Sequence, residues 1–185
     1  MDEDRRTLIS GGAVLGVAAA LPAAAAPSMP ERLPVPPLLF AFRATIEIGT
    51  PIELGASGDV RKRVIPITGG SFAGPDIAGV VLSGGADWQS IRADGTADIL
   101  ARYTLRATDG TPISVVNPGY RHGPAAVIAK LGRGEDVDPA LYYFRTTPQF
   151  AVADASPHAW LGRHAFVCTA ARFATRVVLD CYRIG

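Results

Sequence analysis

The chain has 185 residues, with 18 Lys and Arg against 17 Asp and Glu and a formal net charge of +1 at neutral pH. That balance excludes the basic footprint that nucleic acid or an anionic membrane surface would require, and the length suits a single domain with a real core. The two cysteines and three histidines show no Cys-x-x-Cys or His-x-His spacing, so the sequence predicts neither a metal site nor a cofactor.

Taken in order, the chain starts with a leader. Arg5-Arg6 precedes an apolar Gly/Ala-rich run from Gly11 to Leu21, followed by Pro22-Ala23-Ala24-Ala25-Ala26. Paired arginines, a modest apolar stretch and an Ala-x-Ala site predict a twin-arginine export signal over residues 1–25. The apolar run, about eleven residues, falls short of the roughly 20 that span a bilayer. Pro27 disfavours cleavage immediately before it, which moves the cut to Ala25–Ala26. Asp2, Glu3 and Asp4 are unusual ahead of such a signal. The implied location is periplasmic or secreted, with no membrane attachment once the signal is removed. Residues 26–37 hold five prolines and read as an extended tether.

From Leu38 the pattern is short strands with frequent turn signals. Leu38–Ile48 is the first, its second half alternating Ala44, Ile46 and Ile48 against Thr45 and Glu47. Gly55 to Gly58 reads as a turn before a strand over Val60–Thr68. Arg61-Lys62-Arg63 reads as a solvated basic face. Ala78–Leu82 is another strand, and Gly84-Gly85-Ala86-Asp87-Trp88 a strand-end turn that offers an acid and an indole together. Ala93-Asp94-Gly95 and Asp109-Gly110 are hairpin signals on either side of a long strand over Thr96–Thr108. In that strand Ile99, Ala101, Tyr103 and Leu105 share a face. Pro112–Asn117 follows, with Asn117-Pro118-Gly119 as a turn. Ala125–Leu131 has helix-forming alanines and stops at Gly132, a short insertion placed to cover one barrel mouth. Strands over Leu141–Thr147, Phe150–Ala153, His164–Ala170 and Arg176–Arg183 complete the chain. The last two pair as a hairpin that sets Cys168 opposite Cys181, either as a disulfide or as two buried thiols. The fold class is all-β, a single antiparallel β-barrel over residues 38–185 with one short helical or loop insertion.

Several of these residues also carry a resemblance. Ile67-Thr68-Gly69-Gly70, Phe72, Gly74-Pro75, Gly84 to Gln89, Arg102-Tyr103, Thr108-Asp109-Gly110, Asn117-Pro118-Gly119, the run Tyr142 to Phe150 and Trp160-Leu161 resemble the domain of unknown function 3237 family. The resemblance covers about Leu38 to Ile184 and implies a barrel with an allene oxide cyclase-like outline. It implies little about activity.

The candidate chemistry is sparse. Asp87 beside Trp88 is either a general acid/base raised by a nearby indole or the cap of a glycine-rich turn. In the run Tyr142-Tyr143-Phe144-Arg145, Tyr143 and Arg145 share a face. Turned inward, they would supply a phenol and a bidentate anion clamp; otherwise Arg145 pairs with Asp87, Asp98 or Glu47. Tyr103 and Asn117 are further candidate ligand contacts, with core and turn roles as their alternatives. No nucleophile elbow or phosphate loop is present. The leading expectation is an exported barrel that binds a small apolar or aromatic molecule near Asp87, Trp88 and Arg145. A cofactor-independent cyclase, isomerase or lyase is the second, with Asp87 or Tyr143 moving the proton. A structural module with a filled interior is the third. A homodimer through an outer face is compatible with each.

Overall fold

A computed structural model of the chain describes residues 32–185. The predicted leader, residues 1–25, lies outside the described residues, and so does half of the tether, residues 26–31. The strands are β1 (Leu38–Ile48), β2 (Ile52–Ser57), β3 (Val60–Ala73), β4 (Ala78–Val81), β5 (Gly85–Ile91), β6 (Ala97–Ala107), β7 (Pro112–His122), β8 (Tyr143–Thr146), β9 (Gln149–Ala151), β10 (Phe166–Arg172) and β11 (Arg176–Ile184). The one α-helix among the described residues, α1, spans Ala125–Gly132.

Eight of these strands close a barrel, every neighbour antiparallel, in the cycle β1-β3-β5-β6-β7-β8-β10-β11 and back to β1. Closure leaves no open sheet edge around the ring. The shorter strands complete positions that a neighbour vacates. β4 pairs with the later parts of β3 and β6 where β5 has not yet begun. β9 continues the β8 position along β7. β2 pairs with β3 alone and is exposed along its length.

Alternation sets what the barrel contains. β6 buries Ala97, Ile99, Ala101, Tyr103, Leu105 and Ala107 in strict period two. β10 and β11 turn Cys168, Ala170, Leu179 and Cys181 inward, and the register sets Cys168 opposite Cys181. The two are joined as a disulfide. Of the two readings left open by sequence, the bridged one is found.

Three expected turns fall wholly or partly within strands, and the strand expected to end at Thr68 runs on. Gly55 lies within β2, and the turn falls at Gly58–Asp59. Thr68-Gly69-Gly70 does not end β3, which continues to Ala73 through a bulge opposite Glu47 and Ile48. Gly70 is required there because its φ is +135° and a side chain would run into the Thr45 carbonyl of β1. Asn117-Pro118-Gly119 is mid-strand in β7, and β5 opens at Gly85, directly after a turn at Ser83-Gly84, so that Asp87 and Trp88 lie within it.

The two ends of the barrel differ. At one, Phe42 packs edge-on against Phe72 and Phe150 with ring centroids 5.5 and 5.9 Å apart, and Phe150 meets Phe166 at 4.9 Å. A short 3-10 turn, Ala159–Arg163, brings buried Leu161 to the same end. At the other end stands α1, its Leu131 buried and Val127 and Ile128 packed on the core.

Candidate functional site

The register stacks inward-facing residues in levels spaced by two residues, about 7 Å along a strand. Ile65, Asp87, Ala101 and Asn117 lie opposite one another across β3, β5, β6 and β7. The level above, toward α1, is Arg63, Gln89, Ile99, Gly119 and Thr146. A side chain on Gly119 would collide with the Arg145 carbonyl and Thr146, so this position stays small. Above that lie Ile91, Ala97, Arg121 and Phe144. Arg172 faces the same space from β10.

These residues enclose a cavity of about 40 Å³ lined by Asp87, Gln89, Tyr103, Asn117, Arg121 and Arg172 over an isoleucine-rich floor. A larger space of about 400 Å³ lies under α1, walled by Ile128 and Leu131 and, again, by Arg121 and Arg172. The two arginines therefore border both spaces and form the neck between them.

A chain of hydrogen bonds orients the acid. Arg63 donates from Nε and Nη2 to Gln89 Oε1, at 2.9 and 2.7 Å. A guanidinium can only donate, so the amide must present its oxygen to Arg63 and its nitrogen to Asp87. Gln89 Nε2 then donates to Asp87 Oδ2 at 2.5 Å. Asp87 Oδ1 is sealed from solvent and has no partner. Asn117 Oδ1, Arg121 Nε and Thr146 Oγ1 are likewise buried and unpartnered, and all four residues line the small cavity. A buried polar atom left unsatisfied costs about 1–3 kcal/mol, so four in residues around one space make it the candidate site.

Burial dominates the electrostatics. It raises the Asp87 pKa above the ordinary carboxylate value, against the opposing pull of the Gln89 hydrogen bond and of Arg121 and Arg63. Arg121 is pulled down to about 10, by burial first and then by repulsion from Arg63 and Arg172. Arg63 and Arg172 are lowered too, chiefly by burial. The Tyr103 phenol is pushed well above its usual range by burial, with the Asn117 side chain pulling the other way. Three guanidinium groups thus share this region with one carboxyl. Arg121 is 6% exposed and takes part in no ion pair among the described residues. Its guanidinium lies 5.8 Å from the Phe144 ring, a cation–π contact that fixes its position. Arg172 is held by the Phe173 carbonyl, and its backbone N–H donates to the Tyr142 hydroxyl at 2.9 Å.

Of the six residues singled out by sequence, Asp87, Tyr103 and Asn117 face this interior. Trp88, Tyr143 and Arg145 do not. Trp88 follows Asp87 within one strand, so the two point to opposite faces, and the indole is 45% exposed. The expected pairing of acid and indole is therefore corrected. In β8 the inward positions are Phe144 and Thr146, which puts Tyr143 and Arg145 outside. Tyr143 stacks on His122 with centroids 4.8 Å apart. The Arg145 guanidinium lies 5.3 Å from the Tyr143 ring and donates to the Phe144 carbonyl. It pairs with none of Asp87, Asp98 or Glu47.

Gln89, Arg121, Arg172 and Arg63 were missed, Arg63 having been read as part of a solvated face. Period two carried the signal. Two residues beyond Asp87 is Gln89, and four beyond Asn117 is Arg121, past a glycine. Among the described residues no three His, Cys, Asp or Glu side chains gather as metal ligands.

The chain matches the family described as "Protein of unknown function (DUF3237)" over residues 36–184. A UPF0311 protein of Bradyrhizobium diazoefficiens is 41% identical over 78% of this chain and 94% of its own length. The crystal structure of a conserved protein of unknown function from Rhodopseudomonas palustris is 40% identical, with a TM-score of 0.79 over 83% of this chain and all of that one. A β-barrel-like protein from Acinetobacter baumannii is 37% identical, with a TM-score of 0.73 over 84% of this chain and all of that one.

Proposed function

The chain belongs to the DUF3237 family, and from that premise we propose that it is a small-molecule-binding barrel whose ligand enters beneath α1 and ends beside Asp87. The supporting observation is that four residues lining one cavity each carry a buried, unpartnered polar atom. A bound molecule satisfies them and offsets the cost of burying them. The test is native mass spectrometry of protein purified from its own host. Wild type is expected to release a small molecule on denaturation. Ala101→Leu, which fills the cavity from a floor position, is expected to fold and release none. A wild type that carries nothing, or the same load on both proteins, ends this reading.

A second reading is proton-transfer catalysis of the isomerase or lyase kind, without a cofactor. Asp87 favours it: one carboxyl oxygen is anchored by Gln89, the other is buried without a partner in a residue that lines the cavity, and burial favours the protonated form. Arginines beside it would stabilise a developing oxyanion. Solvent deuterium appearing in the recovered ligand with wild type but not with Asp87→Asn is the expected signature. Equal incorporation with both proteins would remove Asp87 from the chemistry.

We also propose export by the twin-arginine route, on the strength of Arg5-Arg6, the short apolar run and the alanine-rich cleavage segment. Periplasmic recovery of a chain beginning at Ala26, lost in an Arg5→Lys, Arg6→Lys double variant, is the result expected.

A further inference from the structure

We infer that the molecule held in this barrel is a compact organic hydroxy-carboxylate, its carboxylate on Arg121 and Arg172 at the neck and its hydroxyl pointing inward to Asp87 and Asn117. This rests on the small-molecule reading above and names the ligand class. Arg121 carries the inference. It is buried, held against Phe144, has no ion-pair partner among the described residues, and leaves its Nε without an acceptor. A guanidinium donates only, so what completes it is an acceptor, and a planar oxyanion matches its fork. Arg172 borders the same two spaces; its Nη1 donates to the Phe173 and Ala174 carbonyls, and its other N–H groups are left for the same anion. Arg63 is committed elsewhere, to Gln89 and, at 4.0 Å, to Glu53.

Further in, the requirement changes sign. Asn117 Oδ1 can only accept, and Thr146 Oγ1 and Asp87 Oδ1 can do so. A hydroxyl, which both donates and accepts, suits all three, whereas a second carboxylate would leave Asn117 Oδ1 without a donor. Size limits the inner group: about 40 Å³ holds roughly three waters, so bulk beyond the carboxylate lies outward, under α1. A single negative charge is favoured over a dianion, because Asp87 lies within reach of the same charges, acting on both Arg121 and Arg172.

The experiment measures the melting temperature of the purified chain, stripped of ligand by unfolding and refolding, against acetate, glycolate, acetamide and sulfate at ionic strength matched with chloride. Glycolate and acetate are expected to raise it saturably, glycolate with at least a threefold lower apparent Kd, and acetamide to do nothing. Arg121→Met is expected to weaken both carboxylates at least tenfold and Arg172→Gln to weaken them less. Arg145→Met, on the outer face, is expected to leave the wild-type response. Acetamide matching acetate, no carboxylate response beyond that of chloride, or an Arg121→Met response equal to wild type would overturn the inference. Sulfate acting in place of the carboxylates would overturn it in favour of a tetrahedral oxyanion. A neutral molecule released in the mass-spectrometric test would likewise end this inference while leaving the small-molecule reading intact.

Discussion

The two ends of this barrel are built by the same alternation and hold opposite contents. At the end away from α1, inward positions are Phe42, Phe72, Phe150 and Phe166, closed by Leu161. Those rings bury large apolar areas and their edge-to-face contacts add to it. At the α1 end, inward positions include Asp87, Gln89, Arg121 and Arg172, around empty space. The first end supplies stability and the second draws on it. A chain under selection for folding alone would place aliphatic side chains at both.

The largest expected effects test the closed end. Phe42 is 2% exposed and touches two other rings. Phe42→Ala is expected to cost about 3–5 kcal/mol of unfolding free energy in denaturant titrations. A loss below 1 kcal/mol would mean that this end is not the anchor. Next comes the bridge. Cys168 and Cys181 are 13 residues apart in sequence, and Cys181 lies level with Phe42 across the β1–β11 pairing. Closing a loop of that size stabilises by about 3 kcal/mol in the chain-entropy picture. The Cys168→Ala, Cys181→Ala double variant is expected to lose about 2–3 kcal/mol, and reductant to destabilise wild type but not the variant.

The contrast between the ends also explains what could be read in advance. Barrel class, the hairpins at Asp94-Gly95 and Asp109-Gly110, the helical insertion and the facing cysteines follow from local pattern, and the chain shows them. The aromatic end needs nothing more than period two. The polar end needs the register between strands, which is not local. Whether Arg121 shares a cavity with Asp87 depends on how β5, β6 and β7 align, and no single segment carries that. Two local habits also misled. A glycine pair suggests a strand end, but β3 runs through Gly69-Gly70, and at Gly70 β1 approaches too closely for a side chain. Neighbouring residues with chemistry, such as Asp87 and Trp88, suggest one site, although adjacent residues in a strand face opposite ways. Arg145 drew attention because it shares a face with Tyr143, and alternation along β8 turns that face outward.

The next prediction concerns the open end, and its sign is reversed. The folded chain holds Arg121 near a pKa of about 10, well below that of the free side chain. That difference corresponds to about 3 kcal/mol and opposes folding at every pH below about 10, easing only as the folded group deprotonates above that. Met replaces the charge with a side chain of similar length, so Arg121→Met is expected to stabilise the ligand-free protein by about 1–3 kcal/mol at neutral pH. Destabilisation instead would show that the guanidinium has a protein partner and that the two ends do not differ in kind.

The smallest effect isolates Asp87. Its folded pKa lies above the unfolded value of 3.8. Below that value both states hold the proton and the group contributes nothing. As pH rises from there toward the folded pKa, the unfolded chain ionises first, so the Asp87 contribution to stability falls and then levels off. Asp94 and Asp109 work in the opposite direction, because backbone hydrogen bonds from Thr96 and Thr111 lower their pKa values and their stabilisation is lost as pH falls. The slope of wild type alone therefore mixes both signs, whereas the difference between wild type and Asp87→Asn cancels the turn aspartates. Asn keeps an oxygen to accept from Gln89 and cannot ionise. Unfolding free energies measured from pH 3.5 to 8 are expected to show the variant gaining on wild type as pH rises, with the whole gain between pH 3.8 and the folded pKa. A difference that stays flat with pH would place Asp87 in contact with solvent, and the α1 end would then be an ordinary wet surface rather than a dry site awaiting an anion.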